Sequence, residues 1–471
     1  MNGKAAPSIS VPDEPVRLEG FGPRDLYQRR EKIFTRFVGG FYQRLRFFTG
    51  WPLLAGYFLL PWLSWGGRQA VLFDLPARQF HILGLTFWPQ DLWLLGWLLI
   101  IAAFALFTFT TLVGRIWCGY TCPQTVWTAI FMWIEQFAEG ERHQRIRLDK
   151  APWTFEKLRR RVLKHAMWVG AALLTAVTFV GYFTPIRELV VDLALLDVHP
   201  WAAFWVAFFT GATYVNAGWM REQVCIYMCP YARFQSAMFD ADTLVVSYDA
   251  ARGEPRGARR RGADPESLGD CIDCTLCVQV CPTGIDIREG LQYQCIGCAH
   301  CIDACNQVMD KMGYEQGLIR YTTESELTGG RTRWLRPRSI GYGVALTAMI
   351  SAFGYAVVVR TPFEVDVLRE RGELYERLDD GLIGNQYRLR LLNKTQQSVT
   401  LHVSASSALP VALSQRQPVA LSPGELLDVP MTLSAPADAL DSPNVPVTIR
   451  VCERESGRCD AEQTRFLGPT S

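Results

Sequence analysis

Five long apolar runs are the first feature of the chain, and they alternate with polar segments. They cover residues 47–65, 92–113, 166–183, 201–219 and 340–359. Each is close to the roughly 20 residues that a helix needs to cross about 30 Å of hydrocarbon. The second run has no charged residue, whereas Pro52 and Pro61 interrupt the first. We therefore predict a membrane α-helical protein with about five transmembrane helices rather than helices buried in a large soluble core.

The lysines and arginines between these runs predict an orientation. Residues 1–46 carry nine and the loop 140–165 carries nine, whereas residues 66–91 carry two and residues 184–200 carry one. Positively charged connections stay in the cytoplasm. We therefore expect the N-terminus, this loop and the segment 220–339 in the cytoplasm, and the tail in the periplasm of a bacterium, across its inner membrane. The first forty residues contain no apolar core of a signal peptide.

The tail changes to period-two alternation of apolar residues, as in Val445, Val447, Ile449 and Val451. Such alternation indicates half-buried strands. About 110 residues of short strands suggest a small Ig-like β-sandwich. Cys452 and Cys459 flank a turn-like Glu-Ser-Gly stretch, so in an oxidising compartment they could form a hairpin disulfide. Two free thiols are the alternative.

Ten of the fourteen cysteines lie between residues 225 and 305, and eight of them form two runs with the spacing C-x2-C-x2-C-x3-C. This repeated spacing is typical of two-cluster 4Fe–4S ferredoxins, in which the fourth cysteine of each run ligates the other cluster. The first predicted ligand set is Cys271, Cys274, Cys277 and Cys305. The second is Cys295, Cys298, Cys301 and Cys281. Pro282 follows the first run, but Asn306 replaces the usual proline after the second, which puts that turn in question.

A second constellation consists of two C-x3-C-P motifs, Cys118 and Cys122 before Pro123, and Cys225 and Cys229 before Pro230. Each follows an apolar run and an arginine, Arg115 or Arg221. We expect the two cysteines of a pair to share one helix face, with thiolates favoured because the arginines lower their pKa. Soft thiolates suit Cu(I), zinc or an iron–sulfur species. A redox-active dithiol and inert buried thiols are the alternatives.

Other features narrow the chemistry further. None of the six histidines lies in an apolar run, so we expect no intramembrane haem, and no dinucleotide or P-loop glycine pattern occurs. Electrons must then come from a quinol or from a donor that the sequence does not identify. The net charge of +2 gives no reason to expect a nucleic-acid partner.

These patterns predict an inserted two-cluster ferredoxin-like α+β module in a membrane protein with a C-terminal sandwich. The predicted parts are a cytoplasmic N-terminal segment (1–46), a four-helix membrane region with both C-x3-C-P motifs (47–240), the ferredoxin module with linkers (241–339), a fifth transmembrane helix (340–359) and the periplasmic sandwich (360–471).

The chain resembles the cytochrome c oxidase accessory protein family (CcoG, FixG or RdxA) over nearly its whole length. The similar segments are residues 59–91, GRIWCGYTCPQTVW (114–127), CIYMCPYARFQSAMFD (225–240) and the cysteine-rich stretch 271–305. The resemblance implies assembly of a cbb-type haem–copper oxidase. It also implies reduction of Cu(II) to Cu(I) in the cytoplasm, with oxidase subunits or copper carriers as partners beside membrane lipid.

Our hypothesis is therefore a cupric reductase. The eight ferredoxin cysteines would relay electrons to Cys118, Cys122, Cys225 and Cys229, which would bind and reduce copper. Two other functions remain open at this point: a quinol-linked polyferredoxin subunit of an anaerobic respiratory chain, and a non-redox scaffold for oxidase assembly.

Overall fold

The computed structural model describes residues 32–261, 268–370, 372–378, 381–414, 417–440, 442–455 and 457–469. Of the predicted N-terminal segment, residues 1–31 lie outside this description. The helices described before residue 240 are α1 (Phe41–Leu59), α2 (Leu92–Val113), α3 (Ile116–Tyr120), α4 (Pro123–Glu139), α5 (Arg142–Lys150), α6 (Phe155–Val180), α7 (Ile186–Leu195), α8 (Pro200–Thr213) and α9 (Pro230–Ser236). Two π-helical turns, Tyr214–Met220 and Val224–Met228, separate α8 from α9.

In the described part of the chain, three helical segments are long and apolar enough to cross a membrane. The five predicted transmembrane helices are therefore not all clearly present. The three segments are Pro89–Val113, Phe155–Val180 and Pro337–Val359. A fourth span is possible if α7 and the segment Pro200–Met220, bent by 92°, count as one. The first predicted run falls short because its helix begins at Phe41 and includes Arg44 and Arg46.

Although α1 is less apolar than the three segments named above, it runs alongside the other helices. At its start, Arg46 donates a hydrogen bond to the carbonyl oxygen of Gly119. Near its end, the Tyr57 hydroxyl donates to the Thr175 carbonyl oxygen at 2.8 Å, and the Tyr182 hydroxyl donates to the Tyr57 carbonyl oxygen at 2.8 Å. Its 19 residues correspond to about 28 Å of helix.

Five short strands lie between α1 and α2 and form a two-stranded and a three-stranded antiparallel sheet. They are β1 (Ser64–Trp65), β2 (Arg68–Gln69), β3 (Val71–Asp74), β4 (Gln79–Ile82) and β5 (Leu85–Phe87). The Phe73 amide donates to the carbonyl oxygen of Tyr182, just past the end of α6. This strand layer therefore lies at the end of the helices away from Gly119.

The cysteine-rich segment folds around one antiparallel strand pair, β6 (Val245–Tyr248) with β7 (Ile319–Thr322). Its helices are α10 (Ala250–Gly253), α11 (Leu276–Gln279), α12 (His300–Met312) and α13 (Glu324–Leu327). Val246, Ile302, Met309 and Leu318 form its core and are almost fully buried.

Helix α14 (Pro337–Val359) leads to the tail, whose strands are β8 (Phe363–Arg369), β9 (Glu376–Arg377), β10 (Leu382–Asn393), β11 (Val399–Ser407), β12 (Ala412–Leu413), β13 (Val419–Leu421), β14 (Leu426–Pro436), β15 (Asn444–Glu453) and β16 (Cys459–Leu467). One sheet has the order β12–β14–β10–β8, with β9 on β10, and the other has the order β13–β11–β15–β16. Alternate side chains of both sheets fill one core, as predicted for a sandwich. Cys452 and Cys459 are directly paired across β15 and β16 and form a disulfide.

The sandwich rests on the strand layer between α1 and α2. The Arg360 guanidinium pairs with the buried carboxylate of Asp91, and the Gln396 amide donates to the Thr86 hydroxyl at 2.7 Å. Helices α2 and α14 run antiparallel, since Trp97 packs on Phe353 and Phe104 packs on Tyr342. The helical region therefore separates the sandwich from the cysteine-rich module.

Candidate functional site

The eight ferredoxin cysteines line two cavities. The first cavity is lined by Cys271, Cys274, Cys277 and Cys305. The second is lined by Cys281, Cys295, Cys298 and Cys301, and Cys277 also reaches it. Cys281 thus lies with the second run and Cys305 with the first, which is the crossed grouping that the spacing predicts.

The two cysteine loops have the same backbone shape. In each, the residues on both sides of the second cysteine have positive φ: Asp273 and Thr275 in one loop, Gly297 and Ala299 in the other. Such turns point successive backbone N–H groups inwards, an arrangement that stabilises negative charge. The Gly297 amide donates to the Cys295 sulfur at 3.4 Å.

The donor set fits an iron–sulfur cluster better than a single ion. Thiolates that share one zinc ion each lie about 2.3 Å from it, so their sulfur atoms lie within about 4.6 Å of one another. Among the described residues, no three histidine, cysteine, aspartate or glutamate side chains could hold a single metal ion. Four cysteines around one cavity suit the four-iron cube.

Asn306 does not occupy a turn. Helix α12 continues from His300 to Met312, so a proline after Cys305 would stand inside the helix and interrupt it. The Asn306 side-chain oxygen accepts a hydrogen bond from the Gly317 amide at 3.1 Å. Asn306, in place of the usual proline, therefore stabilises the segment between α12 and β7.

The two C-x3-C-P motifs have matching backbone geometry. The Cys122 amide donates to the Trp117 carbonyl oxygen at 2.9 Å, and the Cys229 amide donates to the Val224 carbonyl oxygen at 2.8 Å, five residues back in both motifs. The following proline is the first residue of α4 or α9. The predicted shared helix face is therefore wrong for both pairs, because each second cysteine lies between two helices.

Reciprocal contacts bring the two motifs together. The side-chain amide of Gln124, two residues after Cys122, donates to the Arg221 backbone carbonyl oxygen at 3.2 Å. The Cys118 thiol contacts the Gln235 side-chain oxygen at 3.6 Å. All four thiols are half-buried, and Cys118 is close enough to the other three for their charges to influence its pKa.

The predicted lowering of the thiol pKa is wrong for Cys118 and Cys225. Burial raises the pKa of Cys118 to about 12, and the neighbouring thiol of Cys122 adds to the increase. Burial likewise raises the pKa of Cys225 to about 12, and Arg115 opposes both shifts only in part. Arg221 pairs instead with Glu135, at 2.8 Å.

Arg115 connects the four thiols to the second cluster cavity. Its guanidinium donates to the carbonyl oxygen of Cys295 at 2.8 Å and to that of Ala232, just beyond Cys229, at 3.0 Å. Helix α3 packs so closely on this loop that a Cβ atom on Gly119 would lie 2.6 Å from the Gly297 carbonyl oxygen. The loop that carries Cys295 and Cys298 is therefore in direct contact with α3, the helix that carries Cys118.

Sequence reasoning missed a buried charge cluster beside this site. Glu135 on α4 is 1% exposed and contacts Arg145, Lys164 and Arg221. Burial alone would raise the pKa of Glu135, but the combined charges of Arg221, Lys32, Arg145 and Lys164 lower it to about 2. The local sequence does not identify these partners, which lie 10 to 86 residues from Glu135 along the chain.

A second missed contact holds α1 against the ferredoxin module. The Asp303 carboxylate, between Cys301 and Cys305, accepts hydrogen bonds from the amides of Tyr42 and Gln43 at 3.1 and 2.8 Å. Arg46 of α1 also contacts His300, which lies on α12 like Asp303. Asp303 therefore caps the start of α1, a role that residues 260 positions apart do not reveal in sequence.

Two cysteine-lined cavities beside apolar helices define a class: a membrane-associated iron–sulfur electron-transfer protein. Three family models match this chain: a 4Fe-4S dicluster domain over residues 220–324, a 4Fe-4S binding domain over residues 95–138, and the IG-like fold at the C-terminal of FixG over residues 353–469.

Curated relatives agree with these matches. The chain is 41% identical to the nitrogen fixation protein FixG of Rhizobium meliloti, over 80% of each chain. It is 42% identical to protein RdxB of Cereibacter sphaeroides, over 83% of this chain and 85% of that one. Protein RdxA of the same organism is 40% identical, over 87% and 88%. The chain belongs to the FixG, RdxA and RdxB family, which confirms the resemblance found in the sequence.

Proposed function

We propose that this protein transfers electrons at the inner membrane of a bacterium and reduces Cu(II) to Cu(I) in the cytoplasm, for assembly of a cbb-type cytochrome c oxidase. The observation that carries the proposal is the packing of α3, which holds Cys118, on the loop between Cys295 and Cys298. Cu(II) is the substrate, and oxidase subunits or copper carriers receive the product. A quinol or a partner protein supplies the electrons.

The residues of the chain support this chemistry. The eight ferredoxin cysteines would hold two 4Fe–4S clusters, which when bound take up and release single electrons, as the reduction of Cu(II) requires. The four C-x3-C-P thiols are half-buried rather than sealed, so a small ion can reach them. Sulfur ligands favour Cu(I), so copper near these thiols is easier to reduce than copper in water.

The test uses protein purified without oxygen, reduced with dithionite and freed of excess reductant. Cu(II) is then added with a Cu(I)-specific chelator that changes colour. We expect the parent protein to reduce Cu(II), and the quadruple variant Cys118→Ser, Cys122→Ser, Cys225→Ser and Cys229→Ser to fall to the protein-free rate. Serine is close to cysteine in size but removes the soft sulfur donor.

The matched control replaces the two cysteines of the sandwich disulfide, Cys452→Ser and Cys459→Ser, at the other end of the helices. This variant should keep the parent rate of copper reduction. If the quadruple serine variant also reduces Cu(II) at the parent rate, the four thiols are structural and the proposed site is wrong.

A further inference from the structure

The cysteines of this chain fall into complete sets. Of fourteen, Cys452 and Cys459 form a disulfide, and eight line the two ferredoxin cavities, with Cys277 on both. The remaining four free cysteines are Cys118, Cys122, Cys225 and Cys229. Four is the number of thiolates that a 4Fe–4S cluster takes from a protein.

The family matches point the same way. The segment 95–138 matches a 4Fe-4S binding domain, yet it contains two cysteines, Cys118 and Cys122. Since a cluster held by cysteines alone needs four, the other two must come from elsewhere in the fold. The only other cysteines that the structure brings to this motif and that line neither ferredoxin cavity are Cys225 and Cys229, within the described residues.

The backbone supports a shared site rather than two separate pairs. Both motifs close with a hydrogen bond from the second cysteine to the carbonyl oxygen five residues earlier, and both continue with a proline that starts a helix. Contacts cross between the motifs in both directions, from Gln124 to Arg221 and from Cys118 to Gln235. This is the relation of two equivalent half-sites that face each other.

We propose that Cys118, Cys122, Cys225 and Cys229 ligate a third 4Fe–4S cluster, beside the cavity lined by Cys295 and Cys298. This inference does not rest on copper reduction, although it concerns the same four thiols. If copper is the substrate, it takes its electron next to this cluster instead of binding to bare thiols.

The test counts iron and acid-labile sulfide per chain after anaerobic reconstitution with Fe²⁺ and sulfide. Three sets of four ligands predict about twelve iron and twelve sulfide in the parent protein, and about eight of each after replacement of the four cysteines. Alanine is used here (Cys118→Ala, Cys122→Ala, Cys225→Ala, Cys229→Ala), because a serine oxygen can still bind iron. The control Cys452→Ser and Cys459→Ser should keep about twelve of each.

Electron paramagnetic resonance of the reduced proteins provides a second measurement. The alanine variant should lose one signal and retain those of the two ferredoxin clusters. A parent protein that saturates at about eight iron overturns the proposal, and this count decides even if the variant fails to fold. Twelve iron without copper reduction would support the third cluster and refute the proposed function, whereas eight iron with thiol-dependent copper reduction would do the reverse.

Discussion

At the scale of single residues, burial rather than proximity of charge decides the behaviour of the site. Arg115 and Arg221 both precede a C-x3-C-P motif, and from sequence both are expected to favour thiolates. Arg221 is instead bound by Glu135, 86 residues away in sequence, and Arg115 is held by backbone carbonyl oxygens. Cysteine spacing predicted the crossed grouping because it is a local pattern, whereas ion pairs between distant segments leave no such pattern.

The buried carboxylate of Glu135 allows a quantitative prediction. Its pKa falls from the ordinary 4.5 to about 2, and each unit corresponds to about 1.4 kcal/mol. We therefore expect Glu135→Gln to lower the free energy of unfolding at pH 7 by roughly 3 kcal/mol, because the buried Arg145 and Arg221 lose their counter-ion and Lys164 keeps only Glu139. The measurement is denaturant or thermal unfolding in detergent.

The sign of the pH dependence follows from the lowered pKa. The stabilisation from Glu135 is present above the unfolded pKa near 4.5 and is lost as the pH falls towards 2, so the parent and Glu135→Gln proteins should converge in stability over this range. Glu156 is the matched control, since it also pairs with two arginines, Arg159 and Arg160, but is exposed. Equal losses in Glu135→Gln and Glu156→Gln would contradict the role of burial.

At the scale of elements, α12 joins the ferredoxin module to the helical region. It carries Cys301 and Cys305, one for each cavity, and Asp303 between them caps α1. The apolar pattern predicted α2 and α14 well because almost nothing interrupts them. It misjudged α1, whose Arg44 and Arg46 lie inside the helix, because a hydrophobic run does not show where contacts with another module extend a helix.

The crossed ligand sets predict a specific pair of outcomes in a variant that lacks the first set, Cys271→Ala, Cys274→Ala and Cys277→Ala. In this background, adding Cys281→Ala should remove about four more iron, because Cys281 belongs with Cys295, Cys298 and Cys301. Adding Cys305→Ala should remove none. Iron analysis and low-temperature spectra of the reduced proteins measure both, and the opposite pattern would show that each run ligates its own cluster.

At the scale of the whole molecule, two groups of domains lie at opposite ends of the apolar helices. The ferredoxin module and the four thiols meet at one end, and the sandwich rests on the strand layer at the other, through Arg360 and Asp91. A cytoplasmic module and a periplasmic sandwich were predicted from charged loops alone. The structure adds the direct contacts between the loop 66–91 and the sandwich, which sequence could not show because they join distant segments.

This arrangement predicts the result of reporter fusions, with three positions compared. A reporter that is active only after export should be inactive after residue 335, just before α14, and active after residue 471. It should also be active in the turn at residues 77–78, since the 23 residues of α14 span about 34 Å and bring the sandwich to this strand layer. A reporter active only in the cytoplasm should give the inverse pattern. Activity of the export reporter at 335 alone would reverse the predicted orientation and leave the fold intact. Opposite results at 77–78 and 471 would place the strand layer and the sandwich on different sides of the membrane. The ion pair between Arg360 and Asp91 would then be wrong, because its two residues must lie on the same side.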